Sequence, residues 1–96
     1  GKCLSSGYCR FQAKSKQQQI FQHFGLSNQI DKLFEEYREV LMAFLYGTEN
    51  DIKDELADVK NLIEQLTDYY GRKEIEKIQE FKNERTLERI ESGYYG

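Results

Sequence analysis

Apolar residues recur along this chain with the spacing of helices. Ile30, Leu33, Phe34, Tyr37, Val40, Leu41, Phe44 and Leu45 fall at i, i+3, i+4 and i+7, which predicts one long amphipathic helix. Ser27 stands where it can cap that helix and Gly47 where it can end it. Ile52, Leu56, Val59, Leu62, Ile63 and Leu66 repeat the pattern on a third helix, with Thr48 as cap, Asp51 in the first turn and a stop by Gly71. Upstream, Ile20, Phe21 and Phe24 edge a shorter first helix that starts near Ser15. Gln18 is placed for a capping box there, and Gly25 is a suitable stop. A fourth helix is predicted from about Arg72 to Ser92, with Ile75 and Ile78 starting its inward face and Gly93 closing it. Residues 1–14 lack periodicity and read as a tail, so 15–96 reads as one all-α domain, a four-helix bundle.

The informative positions are those that break the pattern. Glu36 and Glu39 form one i, i+3 pair on the second helix, and Glu55 and Asp58 form another on the third. Such spacing puts both side chains of a pair on one helix face. At 100° per residue, Glu55 falls between Val59 and Leu62 inside the apolar arc, Asp58 lies at its edge beside Leu62, and Glu36 borders Leu33 and Val40. A buried carboxylate without a partner is costly and tends to protonate. One acidic pair alone is usually a solvated face. Two pairs on consecutive helices, one intruding on the apolar arc, point instead to four carboxylates that hold a hard divalent cation through oxygen. The fourth helix breaks the pattern in the opposite sense, because Lys82, Arg85 and Arg89 continue the stripe that Ile75 and Ile78 begin. Those cations can pair with the acidic helices or meet phosphate oxygens, and Asn83 beside them can hydrogen-bond a sugar or base.

Composition narrows the choice further. The chain has 96 residues, no proline and a net charge of −3, so a polyanion such as nucleic acid is not the expected partner. A single core of this size hides roughly 60–70% of the unfolded chain's surface, which makes association into a dimer or larger assembly useful. No apolar run approaches the roughly 20 residues of a membrane span, and no signal-peptide pattern is visible. Cys3 and Cys9 have no further cysteine or histidine company for zinc, so free thiols in a cytoplasmic protein are expected. His23 is the only histidine and has no Glu three residues before it, which disfavours the Glu-x-x-His pattern of di-iron bundles. Tyr37, Tyr69 and Tyr70 are expected to be core or interface aromatics.

The order Glu-Glu-x-x-Glu at Glu35–Glu39, a spacer, then Glu-x-x-Asp at Glu55–Asp58 resembles the MazG-like family of all-α nucleoside triphosphate pyrophosphohydrolases. The likeness extends from His23-Phe24-Gly25 through Leu33, to Leu62–Leu66, and to the stretches Phe81–Thr86 and Gly93–Tyr95, in the form of small phage and Gram-positive bacterial members. Lys60 and Asn61 depart from it, standing where related small members often carry an acidic and an apolar residue. The resemblance implies magnesium ligands at Glu36, Glu39, Glu55 and Asp58, with manganese as a substitute. It implies catalytic carboxylates at Glu35 and Glu39, which would take the proton of a water attacking the α-phosphate. It implies substrate-binding groups at Lys82 and Arg85, to which the pattern of the fourth helix adds Asn83 and Arg89 as substrate-binding candidates. The expected reaction is magnesium-dependent cleavage of a nucleoside triphosphate to the monophosphate and pyrophosphate, in a homodimer or homotetramer that associates through its helices. The alternative is a non-catalytic helical interaction module on the same fold.

Overall fold

The computed structural model describes residues 15–94. The expected tail, with Cys3 and Cys9, and the terminal residues Tyr95 and Gly96 lie outside them. Among the described residues there are four helices and no strand: α1 (Lys16–Phe24), α2 (Leu26–Tyr46), α3 (Glu49–Tyr70) and α4 (Arg72–Glu91). The all-α expectation holds.

The ends of the helices show why they start and stop there. Ser15 caps α1: its Oγ accepts from the Gln18 N–H at 3.1 Å, and the Gln18 Oε1 accepts from the Ser15 N–H at 3.0 Å. Thr48 and Asp51 form the same reciprocal box at the start of α3, at 2.9 and 3.2 Å. At Gly47 an added Cβ would sit 3.0 Å from the Ala43 carbonyl oxygen and from Asp51 Oδ2, so a side chain in the α2–α3 turn would press on both. Ser27 does not cap α2 as expected. Gly25, at φ +87°, reverses the chain in one residue, so α2 starts at Leu26 and Ser27 already lies in its first turn. Only glycine takes that backbone conformation cheaply. Asn28 reaches back to donate to the Phe24 carbonyl at 2.7 Å, closing the end of α1.

The contacts of the chain group into two units, one up to Gln65 and one from Leu66. In the first, α2 and the start of α3 form an antiparallel hairpin. Gln29 donates to Gln65 at 2.8 Å, and the register that pairs these two also sets Glu36 beside Asp58 and Glu39 beside Glu55. Among the described residues, Val40, Ala43 and Leu62 are its buried apolar side chains, and Gln29, Glu36 and Gln65 are buried with them. Half of this small core is polar. The second unit holds the end of α3 and α4. There Asp68 and Glu76 flank Arg72 at 2.7 and 3.5 Å, one turn to either side. No α4 residue is buried, and Ile78 is exposed. The apolar stripe starting at Ile75 therefore forms no inward face within its own unit, because Lys82, Arg85 and Arg89 take over its later positions.

Candidate metal centre

Five carboxylates on α2 and α3 make two overlapping groups. Ligand oxygens of Glu36, Glu55 and Asp58 all lie within 4.8 Å of one another, and so do those of Glu35, Glu36 and Glu39. Glu36 belongs to both. It is also the deepest, at 4% exposure, whereas Glu55 is half-buried and Glu35, Glu39 and Asp58 are exposed. The helical wheel placed Glu55 innermost; the structure gives that place to Glu36. The apolar arc of α3 is wider than its contact with α2, and Leu56 and Ile63 turn out to solvent, so the centre of the arc is not the centre of the interface.

Two carboxylate oxygens carry the argument. Glu36 Oε1 and Glu55 Oε1 are buried and have no hydrogen-bond partner among the described residues. Such an atom costs free energy unless a proton or a cation reaches it. The electrostatics agree. Loss of water raises Glu55 from 4.5 to about 7, helped by the charge of Glu39, a hydrogen bond with it, and the charges of Glu36 and Asp58. Asp58 is also raised, by loss of water, then by Glu36 and Asp54, with Lys32 opposing.

Lys32 was not singled out from the sequence. Its Nζ lies 3.2 Å from Glu36 Oε2 and 3.3 Å from Glu35 Oε1, and those contacts raise its own pKa, the hydrogen bond to Glu36 most. The i, i+3 and i, i+4 spacing to two glutamates was the available signal. It satisfies one Glu36 oxygen and leaves the other bare.

The carboxylates stand between two clefts. One, of about 430 Å³, is walled by Ile20, Phe24 and Leu62 and edged by Asn28, Asn61, Lys32 and the Gln29–Gln65 pair. The other, of about 320 Å³, lies toward the turn between Glu39, Met42, Tyr46, Asp51 and Glu55. The amide pair was also missed, although Gln29 and Gln65 stand one helical heptad from Glu36 and Asp58, at positions where a small bundle normally places apolar residues.

Lys82, Asn83, Arg85 and Arg89 belong to the second unit. Lys82, Asn83 and Arg85 are exposed and Arg89 is half-buried. The Arg85 guanidinium lies 5.6 Å from the centre of the Phe81 ring, and that of Arg89 lies 4.9 Å from Tyr94, so two of these cations rest on aromatic faces. His23 pairs edge-on with Phe24 at 4.7 Å. No helix among the described residues is long and apolar enough to cross a membrane.

The chain matches no family model, no curated protein and no solved structure.

Proposed function

We propose that the chain is a divalent-cation-dependent nucleoside triphosphate pyrophosphohydrolase of the MazG-like type. The observation that carries the proposal is the pair of buried, unpartnered oxygens, Glu36 Oε1 and Glu55 Oε1, inside an all-carboxylate group. Oxygen-only donors of this kind suit magnesium or manganese. Glu36, Glu39, Glu55 and Asp58 would hold the metal. When bound, it would offset the acidic charge that otherwise repels a triphosphate and lower the pKa of water.

The remaining work falls to the chain. Glu35 and Glu39 are exposed carboxylates at the rim of the group, and an oxygen of either that neither the metal nor Lys32 engages would take a proton from the attacking water. Glu36 and Gln29 are seven residues apart on α2, as are Asp58 and Gln65 on α3, so about 10.5 Å of helix separates the carboxylates from the amide pair. That spacing suits the reach from an α-phosphate to the far edge of its base. Phe24 and Leu62 offer apolar walls to the ring, and the amides offer it both donors and acceptors. If so, Gln29→Leu or Gln65→Leu should cost more than about tenfold of the discrimination between bases, measured as a ratio of kcat/KM values. An unchanged ratio removes the amides from base recognition.

The role of Lys82 and Arg85 with substrate phosphates rests on the sequence resemblance, and that of Arg89 with phosphate and of Asn83 with sugar or base rests on their place along the α4 stripe. Lys82→Ala should raise KM while leaving the melting midpoint in place. Collapse of the melting curve would instead make Lys82 a structural ion-pair partner. The protein works as a homodimer or homotetramer in the cytoplasm. Incubating ribo- and deoxynucleoside triphosphates with magnesium, then separating the products, tests the whole proposal: monophosphate with pyrophosphate is the expected pair, and no turnover of any triphosphate overturns it.

A second reading, a non-catalytic helical module, draws on Lys32. A cation already sits 3.2 Å from Glu36, and an acidic cluster can be balanced from within. A magnesium titration separates the two, since a ligand stabilises the state it binds.

A further inference from the structure

We propose that Lys32 is a transferable counter-ion. It screens Glu35 and Glu36 in the free chain, yields Glu36 to the divalent ion, and then holds the phosphate nearest the sugar of the bound nucleotide. The inference rests on the hydrolase reading and adds to it a substrate-binding group on α2.

Helix α2 carries Gln29, Lys32 and Glu36 at i, i+3 and i+7, so the three side chains share one face. All three line the cleft of about 430 Å³, together with Asp58 and Gln65 from α3. Among the described residues, Lys32 is the only cationic side chain in that wall. Along the helix axis it stands about 4.5 Å from Gln29 and about 6 Å from Glu36, between the amide end of the cleft and its carboxylate end. A nucleotide laid from one end to the other passes its sugar and first phosphate over this position. The Lys32 side chain is 51% exposed against 6% for that of Glu36, so packing does not fix it. Its flexible four-carbon stem lets the ammonium turn from Glu36 into the cleft while the helix stays in place.

The ion pair that Lys32 makes is of a kind that exchanges readily. Its contacts of 3.2 Å to Glu36 and 3.3 Å to Glu35 lie within about one turn, at an exposure where such pairs contribute little. Lys32 precedes Glu36, which is the less favourable order along a helix. Nor does it neutralise the cluster: one ammonium stands against five carboxylates, and Glu36 Oε1 and Glu55 Oε1 keep no partner. A divalent ion on Glu36 repels the ammonium that shares this carboxylate, so Lys32 opposes metal binding until it meets another anion. A triphosphate brings that anion into the same cleft. There the ammonium sits on a non-bridging oxygen of the first phosphate and offsets the charge that builds as water attacks. Nucleotide binding, by drawing Lys32 off Glu36, favours the metal, and the metal favours the nucleotide by the same factor.

Removing the charge of Lys32 should move the two ligands in opposite directions, and binding measurements on the full chain test this. Without nucleotide at pH 8, Lys32→Gln should bind manganese at least about threefold more tightly than the parent chain, read from the paramagnetic resonance of the free ion. With saturating manganese, calorimetric titration uses the α,β-methylene analogues of the ribo- and deoxynucleoside triphosphates, which resist cleavage. The variant should bind the analogue that the parent holds tightest at least about tenfold more weakly. Lys32→Arg keeps the charge and should stay within about threefold of the parent for both ligands. Equal or weaker manganese binding by Lys32→Gln overturns the proposal, because the ammonium would then not oppose the metal. Unchanged affinity for the analogue overturns it too, leaving Lys32 a counter-ion and nothing more. So does loss of the helical circular dichroism signal, since a pair on which the fold depends is not handed over. These three outcomes leave the hydrolase reading standing. A parent chain that takes up no manganese, or no analogue in its presence, sinks that reading and this one together.

Discussion

Glu55→Gln and Asp58→Asn are each expected to lower turnover by at least about a hundredfold, the scale on which removal of one charge-stabilising group acts, with the helical circular dichroism signal retained. Both substitutions keep the shape of the side chain, but they remove its charge and turn one accepting oxygen into a donating NH2. Glu55 and Asp58 are raised in pKa by partial loss of water and by neighbouring carboxylates, so neutralising either relieves repulsion in the metal-free chain. The fold should therefore tolerate the change, and the metal should not. Glu36→Gln carries a sharper version of the same contrast. Glu36 is buried with one oxygen on Lys32 and the other bare. Its neutral amide removes a charge that is costly to bury but also weakens the contact with Lys32. A melting midpoint near that of the parent chain, combined with lost turnover and lost response to magnesium, is the expected outcome. Near-normal turnover in Glu55→Gln or Asp58→Asn would remove that residue from the ligand set, and in both would remove the metal centre from the mechanism.

The helices were legible because their signals are local. Ser15 with Gln18, Thr48 with Asp51, and the uninterrupted spacing of Ile30 to Leu45 act over one to three turns, and each element begins or ends where those residues put it. Ser27 misled because capping preference is weaker than the reversal that Gly25 permits at φ +87°. The acidic cluster was legible in part. The i, i+3 pairs identified Glu36, Glu39, Glu55 and Asp58, yet the relative depth of Glu36 and Glu55 depends on how α2 and α3 rotate about each other, and an arc of apolar residues does not distinguish burial by the same chain from burial by a second copy. Tyr37, expected as a core or interface aromatic, is exposed, as are Phe34 and Leu41 on the same apolar arc. Gln29 and Gln65 were missed for a different reason. Each leaves only a polar gap in the apolar pattern of its own helix, and nothing local shows that the two gaps face one another across 36 residues of sequence.

The largest effect on stability should come from magnesium, and it should depend on pH in a defined direction. Glu55 holds its proton to about pH 7 in the folded chain against 4.5 when unperturbed. Between those values the folded state binds more protons than the unfolded state, so stability falls as pH rises through that window. Below it both states are protonated and the penalty is absent; above it both are ionised and the penalty is complete. Asp58, shifted in the same direction, adds to the slope. Without metal, the melting midpoint should thus be lower at pH 8 than at pH 5.5, the reverse of a protein whose carboxylates are well paired. Magnesium binds the ionised carboxylates, so its stabilisation should be small at pH 5.5 and large at pH 8. At a hundred times its dissociation constant a ligand contributes about 2.7 kcal/mol, which for a domain of this size is a rise of roughly 10 °C or more. Glu55→Gln should flatten the metal-free pH profile and remove most of the response to magnesium at pH 8. Scanning calorimetry at the two pH values, with and without metal, reads all of these shifts. A magnesium effect of equal size at both, or a metal-free midpoint that climbs toward pH 8, would mean that the buried oxygens of Glu36 and Glu55 are balanced by the chain itself, with Lys32 as their counter-ion.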